Sequence, residues 1–347
     1  MRCLSGLFVV LLLAMPVSAQ PIPDTAAYRI YSGEGQAAAL SDVVAAMDTV
    51  EVVFLGEVHN DPTAHALQDT LLRRAYQQHG ARLDSDGNRP VALSLEMFER
   101  DVQPVVDEYL RGWITEQHFL EAARPWSTYR SDYRPLVEFA KAHRLPVLAA
   151  NAPRRYVNLV SRAGADTLQS LPAQARRWLP PLPYAEASPA YRAKWFETMQ
   201  AAMAPSSADS ADADSAANPH AAPSDTSTHG GGPAAPHGHG AMMRNMLRAQ
   251  SLWDAAMAHR LAQHLMRQPE ALVLHVAGQF HVSEGTGTPE HLARYRPGTR
   301  SLVIVTEPAA DPTTFQPSTH RGLGDFVILT PADRVPSPGT PMPGSRP

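Results

Sequence analysis

Two residues that can do acid–base chemistry lie two positions apart in the first third of the chain. The apolar run Val52–Leu55 breaks at Gly56 and is followed by Glu57 and then His59. Side chains at positions i and i+2 of an extended segment share a face, so this carboxyl and this imidazole can point to the same place. A carboxylate beside an imidazole can move a proton or bind a metal ion. The pair is therefore the first candidate for a functional site.

Three later apolar runs of strand length end in residues of similar chemistry: Glu96 after Val91–Leu95, Asn151 and Arg154 after Pro146–Ala150, and His281 after Ala271–Ala277. Each residue alone has an ordinary structural explanation, since Glu96 can cap the following helix and Arg154 can form a surface ion pair. In open α/β sheets, however, ligands bind in the crevice outside the carboxyl ends of the strands. The repetition at four strand ends therefore predicts one common site.

We expect the strands to be the short apolar runs, which are separated from one another by helical segments. Ser301–Thr306 and Phe326–Leu329 complete the set, while Tyr28–Gly35 fits a lead-in and Ala37–Met47 a small helix. Asp61 followed by Pro62 opens a helix after the first strand, because an Asp oxygen caps free N–H groups and proline needs none in the first turn. Apolar runs that do not alternate with polar residues predict a largely parallel central sheet with helices on both faces.

The N-terminus has the features of a cleavable signal peptide over residues 1–19. Arg2 supplies a positive charge, Leu7–Met15 a short apolar core, and Ala19 a small residue at the cleavage site. The apolar core is too short to span a bilayer comfortably, which makes an anchored helix the weaker alternative. The only cysteine, Cys3, lies inside this segment and too early for lipid attachment. We therefore expect a cysteine-free protein exported to the periplasm or cell envelope.

The length predicts one large domain or two smaller ones, and we expect a single α/β domain over residues 20–335. The formal net charge of -4 gives no sign of a nucleic-acid partner, which would normally require a basic surface. Residues 204–240 are rich in Ala, Ser, Asp and His and contain no large apolar side chain, so they predict a disordered insert. Its histidines could collect metal loosely, but a solvated linker fits them better. The Pro-rich tail 331–347 is expected to be loose.

Two kinds of ligand fit the predicted site. Glu57, His59, Glu96 and His281 could hold a divalent metal ion that activates water for hydrolysis. Alternatively, the histidines and Arg154 could flank a flat cofactor with acidic side groups, because guanidinium groups pair with carboxylates. A tyrosine phenolate can also bind haem iron. Four tyrosines lie near the strand ends in sequence: Tyr109, Tyr129, Tyr133 and Tyr156.

Six segments, in order between about Val50 and Thr306, resemble the ChaN family of haem-binding, iron-regulated uptake proteins: Val53–His59, Leu95–Arg100, Tyr133–Val137, Asn151–Arg154, Leu252–Ala258 and Val276–His281. That family is similar in its core to the wider Tiki and erythromycin-esterase group, which shares a Gly-Glu-x-His and a later Gly-x-x-His motif. Arg154 matches only the ChaN-like segment.

The resemblance implies an α/β core with an inserted helical subdomain, here about residues 154–265, and haem in a pocket that the subdomain borders. It also points to a homodimer and to an outer-membrane haem uptake system as partners. The expected haem-pocket residues are Glu57, His59, Glu96, Tyr133, Arg154, Tyr156 and His281. Relatives in the wider group are metal-dependent peptidases or esterases. A hydrolase that uses a divalent metal with Glu57, His59, Glu96 and His281 is therefore the alternative.

Overall fold

Short runs of Val, Leu, Ile and Ala form the strands of a central eight-stranded sheet. The computed structural model describes residues 28–80, 89–203 and 239–335. The strands are β1 (Arg29–Ser32), β2 (Ala37–Ala38), β3 (Val52–Glu57), β4 (Val91–Glu99), β5 (Val147–Asn151), β6 (Leu272–Gly278), β7 (Ser301–Ala309) and β8 (Phe326–Pro331). Their order is β2-β1-β8-β7-β3-β6-β4-β5. The strands from β8 to β5 run parallel, and β1 is antiparallel to both of its neighbours.

Helices cover both faces of this sheet. They are α1 (Leu40–Ala46), α2 (Pro62–Ala75), α3 (Gln103–Leu110), α4 (Glu116–Ala123), α5 (Arg134–His143), α6 (Arg154–Ala163), α7 (Ala173–Arg176), α8 (Pro189–Met203), α9 (His239–Arg267), α10 (Thr288–Tyr295) and α11 (Pro317–His320). None of the helices in the described part of the chain has both the length and the apolar character needed to cross a membrane.

Successive residues of the central strand β3 enter two different hydrophobic cores. Val53 and Leu55 pack with α1 to α5 on one face, and Val52 and Phe54 pack with α6, α9 and α10 on the other. Strands buried on both faces are continuous apolar runs, which is the pattern from which the sheet was predicted. The predicted α/β fold with a largely parallel sheet is confirmed.

The structure differs from the sequence prediction mainly at the edge of the sheet. The expected lead-in contains β1, which pairs with β8, and the first two residues of the expected first helix form β2. Strand β4 continues beyond Leu95 to Glu99, and its register with β5 shifts between those two residues. Both features depend on pairing with distant strands. A local hydrophobic pattern does not report such pairing.

Several predicted segments lie outside the described residues. They are the signal peptide 1–19, the turn at 84–88, residues 204–238 of the insert and residues 336–347 of the tail. Residues 239–240 belong to α9, and Pro331 is the last residue of β8 rather than the start of a loose tail. The helical subdomain and the domain boundaries stay predictions.

The predicted cap of α2 ties this helix to the edge of the sheet. The buried carboxylate of Asp61 accepts hydrogen bonds from the backbone N–H groups of Thr63 (2.8 Å) and Ala64 (3.2 Å). It also accepts one from the Thr330 hydroxyl at the end of β8 (2.6 Å). The helix that follows Glu57 and His59 is thus fixed at its first turn.

Replacement of Asp61 should therefore destabilise the fold. We expect Asp61→Ala to lower the free energy of unfolding by about 2 kcal/mol, because it removes a helix cap and leaves the Thr330 hydroxyl unsatisfied. Urea denaturation measures the difference. Asp333→Ala, at an exposed position just after β8, is the control and should change stability by less than about 0.5 kcal/mol. Equal effects of the two substitutions would contradict the role of the cap.

Candidate functional site

The carboxylate of Glu57 is buried at the end of β3 and is surrounded by hydrogen-bond donors. One oxygen accepts from His59 Nδ1 (3.0 Å) and from the Tyr133 hydroxyl, and the other accepts from the Gln68 amide (2.5 Å). His65 Nδ1 lies 3.4 Å from that second oxygen. Burial acts to raise the pKa of Glu57, but the His65 and His59 imidazoles and the Tyr133 hydroxyl outweigh it and lower the pKa. The carboxylate is therefore held ionised.

His59 is the member of this group that reaches the surface, with 24% of its side chain exposed. Its ring meets Trp126 edge to face at 4.7 Å. Burial lowers its pKa, but the hydrogen bond and charge of Glu57 and the charge of Glu96 outweigh burial and raise the pKa. A Cβ atom at Gly278 would lie 2.9 Å from His59 Nε2. The ring can lie over the end of β6 only because that residue is glycine.

Glu96 and His281 form a second buried pair next to the first. One oxygen of Glu96 accepts from the Gly278 N–H (2.8 Å), and the other lies 3.4 Å from His281 Nε2. His281 Nδ1 donates to Asp254 at 2.8 Å. Burial lowers the pKa of His281, but the charges of Glu96 and Asp254 outweigh it and raise the pKa. An imidazole is thus held between two carboxylates, which favours its protonated form.

Asp254 joins α9 to the rest of this second pair. Its carboxylate also accepts from the Tyr191 hydroxyl on α8 and from the Thr288 hydroxyl on α10 (3.0 Å). The Gln250 amide nitrogen, one turn earlier on α9, lies 3.3 Å from His281 Nε2. Three helices therefore meet at one fully buried carboxylate. We call the two pairs and their direct partners the buried acid–histidine cluster: Glu57, His59, His65, Gln68, Glu96, Tyr133, Tyr191, Gln250, Asp254, His281 and Thr288.

A cleft of about 380 Å³ lies beside this cluster. Its wall includes two indoles, two guanidinium groups, an amide and a thioether, which belong to Trp126, Trp253, Arg124, Arg154, Asn151 and Met97. Trp126 touches His59, and the Trp253 ring lies 6.3 Å from the His281 ring, so the cluster borders the cleft from two sides. Arg124 pairs with Glu99, which also lines the cleft, at 3.3 Å.

Most of the predicted site residues fall into two groups in the structure. Glu57, His59, Glu96, His281 and Tyr133 come together in the cluster, although Tyr133 is fully buried and donates its hydroxyl to Glu57. Burial raises the pKa of Tyr133 well above its usual value. Asn151 and Arg154 line the adjacent cleft instead.

The structure places Tyr156 apart from the cluster, and it rules out the alternative explanation of Glu96 as a helix cap. Tyr156 lies under the Arg155 guanidinium, 4.5 Å from the ring centroid, and packs against the core beneath α6 and α9. On the helix that begins at Arg154, Tyr156 lies about 200° around the axis from that residue, so the two side chains diverge. Glu96 is not a helix cap, because it lies within β4.

Sequence reasoning missed the helical members of the cluster: His65, Gln68, Tyr191, Gln250, Asp254 and Thr288. The signal for Asp254 was a carboxylate next to Trp253 on a helix whose buried residues are mostly apolar. Within residues 28–80, 89–203 and 239–335, no group of three or more His, Cys, Asp or Glu side chains is arranged to hold a metal ion. The donor atoms of the cluster bond to one another.

A comparison with known families relates the chain to one of them. The model of the family described as haem-binding uptake, Tiki superfamily, ChaN matches residues 43–292, which is more than half of the chain. A search of curated protein sequences gave no match.

Several solved structures are similar to this chain at low sequence identity. ChaN of Campylobacter jejuni, solved in a study of cofacial haem binding, is 13% identical, with 89% of this chain and 99% of that chain covered and a TM-score of 0.59. The type III effector HopBA1 is 9% identical, with 83% and 91% covered and a TM-score of 0.41. A mutant of the erythromycin esterase EreC in its open conformation is 12% identical, with 84% and 78% covered and a TM-score of 0.39. At these identities the likeness to Campylobacter ChaN shows the fold alone.

The raised pKa of His281 predicts a pH-dependent contribution to stability. A protonated ring between Glu96 and Asp254 stabilises the folded state. This contribution is complete below the unfolded pKa of about 6.5 and is lost as pH rises through the higher folded-state pKa. We therefore expect His281→Gln to lower the free energy of unfolding more at about pH 5.5 than at about pH 9.

Urea denaturation at both pH values measures this difference. His118→Gln, at an exposed position on α4, is the matched control and should leave stability nearly unchanged at either pH. A loss of stability in His281→Gln that is the same at both pH values would show that the ring contributes packing rather than charge.

Proposed function

Because this chain belongs to the ChaN family of haem-binding uptake proteins in the Tiki superfamily, we propose that it binds haem in the cleft beside the buried acid–histidine cluster. We further propose that it is exported and serves haem or iron uptake in the cell envelope. The observation that carries the assignment is that three of the segments that resemble the family line one cleft. Leu95–Arg100 contributes Met97 and Glu99, Asn151–Arg154 contributes its first and last residues, and Leu252–Ala258 contributes Trp253.

The wall of the cleft has the chemistry that haem requires. Haem combines a flat, apolar ring with two carboxylate side chains. The indoles of Trp126 and Trp253 offer aromatic surface for the ring, and the Arg154 guanidinium offers a partner for a carboxylate, whereas Arg124 already pairs with Glu99 and Asp101. When bound, haem would supply the iron that an uptake protein carries. The residues of the cleft thus fit the group that the family binds.

The cluster would act as a rigid support behind the haem. Glu57 orients the His59 ring through Nδ1, and the ring in turn contacts Trp126 on the cleft wall. On the other side, Asp254 orients His281 next to Trp253. The buried charges are all paired, so the network holds both indoles without further ordering. Expected partners, a homodimer and an outer-membrane uptake system, follow from the family alone.

Titration with haemin tests the proposal. The full chain should show a saturable shift of the Soret band, and Arg154→Gln should weaken haemin binding about tenfold, because it removes one charge-assisted pair. Trp126→Ala should also weaken binding, since it removes ring surface. Arg162→Gln, at an exposed position on the same helix as Arg154, is the matched control. Absence of a saturable shift in the unaltered protein would refute haem binding.

A metal-dependent hydrolase remains the second candidate. The observation in its favour is that two buried carboxylates and two imidazoles, those of Glu57, His59, Glu96 and His281, lie in one cluster. Glu57, His59, Glu96 and His281 would then bind the divalent ion and activate water.

This second candidate makes a separate prediction. Added Zn²⁺ or Mn²⁺ should raise the turnover of p-nitrophenyl acetate by the full chain, and Glu57→Gln should abolish the rise. The esterase assay does not depend on haemin binding, so either candidate function can be refuted without refuting the other. Turnover that does not respond to metal, or that persists in Glu57→Gln, would exclude this chemistry.

A further inference from the structure

A second cavity, with a volume of about 410 Å³, lies between α8 and α9, and haem binding in the cleft makes no use of it. We call it the α8–α9 groove. Its apolar wall includes Phe196 from α8 and Met243 and Leu247 from α9, and Phe196 is 41% exposed. The volume falls in the range of about 300–1,000 Å³ that is usual for small-molecule sites. An apolar body of moderate size would fit this wall.

Ser251 contributes a polar atom to the groove that the protein itself does not satisfy. The residue is 1% exposed, and its hydroxyl has no hydrogen-bond partner among the described residues. A buried hydroxyl without a partner destabilises the folded state. A ligand that accepts a hydrogen bond from this hydroxyl would remove the penalty. The unsatisfied hydroxyl is therefore independent evidence for a ligand with a polar end.

A guanidinium group lines the same groove as this hydroxyl. The Tyr191–Asp254 hydrogen bond holds the start of α8 against the middle of α9, so we place Arg192, the next residue, at the part of the groove that Ser251 lines. Arg192 is exposed and forms no ion pair within the part of the chain that the structure describes. Arg248, by contrast, is paired with Glu186 at 2.5 Å. Arg192 is thus available for an anion at the end where Ser251 lies.

The groove is distinct from the haem cleft. Successive residues of an α-helix are 100° apart, so Ser251 and Trp253 lie about 200° apart around α9. Arg244 and Trp253 are about 180° apart by the same count. One face of α9 therefore borders the cleft, and the opposite face borders the groove.

We propose that the α8–α9 groove binds an alkyl carboxylate of the fatty-acid type. The carboxylate accepts hydrogen bonds from the Ser251 hydroxyl and the Arg192 guanidinium, and the alkyl chain lies against Phe196, Leu247 and Met243. A guanidinium is the preferred partner of a carboxylate, and an unbranched chain fits a groove between two helices. Tight binding therefore requires both the carboxylate and the alkyl chain of the ligand.

Isothermal titration of the full chain with sodium decanoate tests this proposal. We expect saturable binding at one site, with acetate and decyltrimethylammonium each at least about tenfold weaker, because one lacks the chain and the other the negative charge. Arg192→Gln should weaken decanoate binding about tenfold. Arg294→Gln, at an exposed position on α10, is the matched control and should bind decanoate normally.

Ser251→Ala separates a binding role from a structural one. This substitution should weaken decanoate binding about fivefold, yet leave the melting temperature of the ligand-free protein unchanged or higher, because it removes an unsatisfied buried group. Haemin titration of Arg192→Gln should match that of the unaltered protein.

Three results would overturn the proposal. They are the absence of saturable decanoate binding, decanoate binding that neither Arg192→Gln nor Ser251→Ala weakens, and loss of haemin binding in Arg192→Gln. The last result would assign the groove to haem instead and would move the proposed haem site without removing haem binding.

Discussion

The burial of two carboxylates at the carboxyl edge of a parallel sheet is the constraint on which the rest of this structure depends. Glu57 and Glu96 are only 2% and 1% exposed. A charge removed from water must be paired and hydrogen-bonded, or the fold is lost. The surrounding elements supply the donors: Gln68 and His65 on α2, Tyr133 just before α5, the Gly278 N–H at the end of β6, and His281 in the turn that follows. The positions of these elements follow from the need to satisfy two buried anions.

The parts of the fold that could be predicted are those whose causes are local. Parallel strands buried on both faces must be unbroken apolar runs, and β3 to β8 were found on that basis. The Asp61–Pro62 cap is equally local, because its partners are the next two N–H groups. Strands β1 and β2 were missed, since four and two residues carry little pattern. β1 forms by pairing with β8, and β2 by pairing with β1. The extension of β4 past Leu95 was missed because a charged residue such as Glu96 normally ends a buried strand. Here the Gly278 N–H on β6 donates a hydrogen bond to its carboxylate.

The same division holds for the candidate site. Its members at strand ends, Glu57, His59, Glu96 and His281, could be brought together in advance because the carboxyl ends of parallel strands share one edge. Its helical members could not. Helical periodicity alone predicts that a polar residue is exposed. Asp254 is buried because it pairs with His281, which lies in the turn after the next strand, β6. Tyr156 lies apart from the cluster for a related reason, because closeness in sequence to a strand end does not set the direction of a side chain on a helix.

The two glycines of the paired motifs explain why Gly-Glu-x-His and Gly-x-x-His occur together. A Cβ atom on Gly56, before the first acid, would lie 2.8 Å from a methyl group of Val282 and 3.1 Å from the Gln279 Cα, both in the turn after β6. A Cβ atom on Gly278, at the start of that turn, would lie 2.9 Å from His59 Nε2. Each glycine thus makes room for residues of the other motif across adjacent strands. The two motifs therefore pack directly against each other at the ends of the adjacent strands β3 and β6.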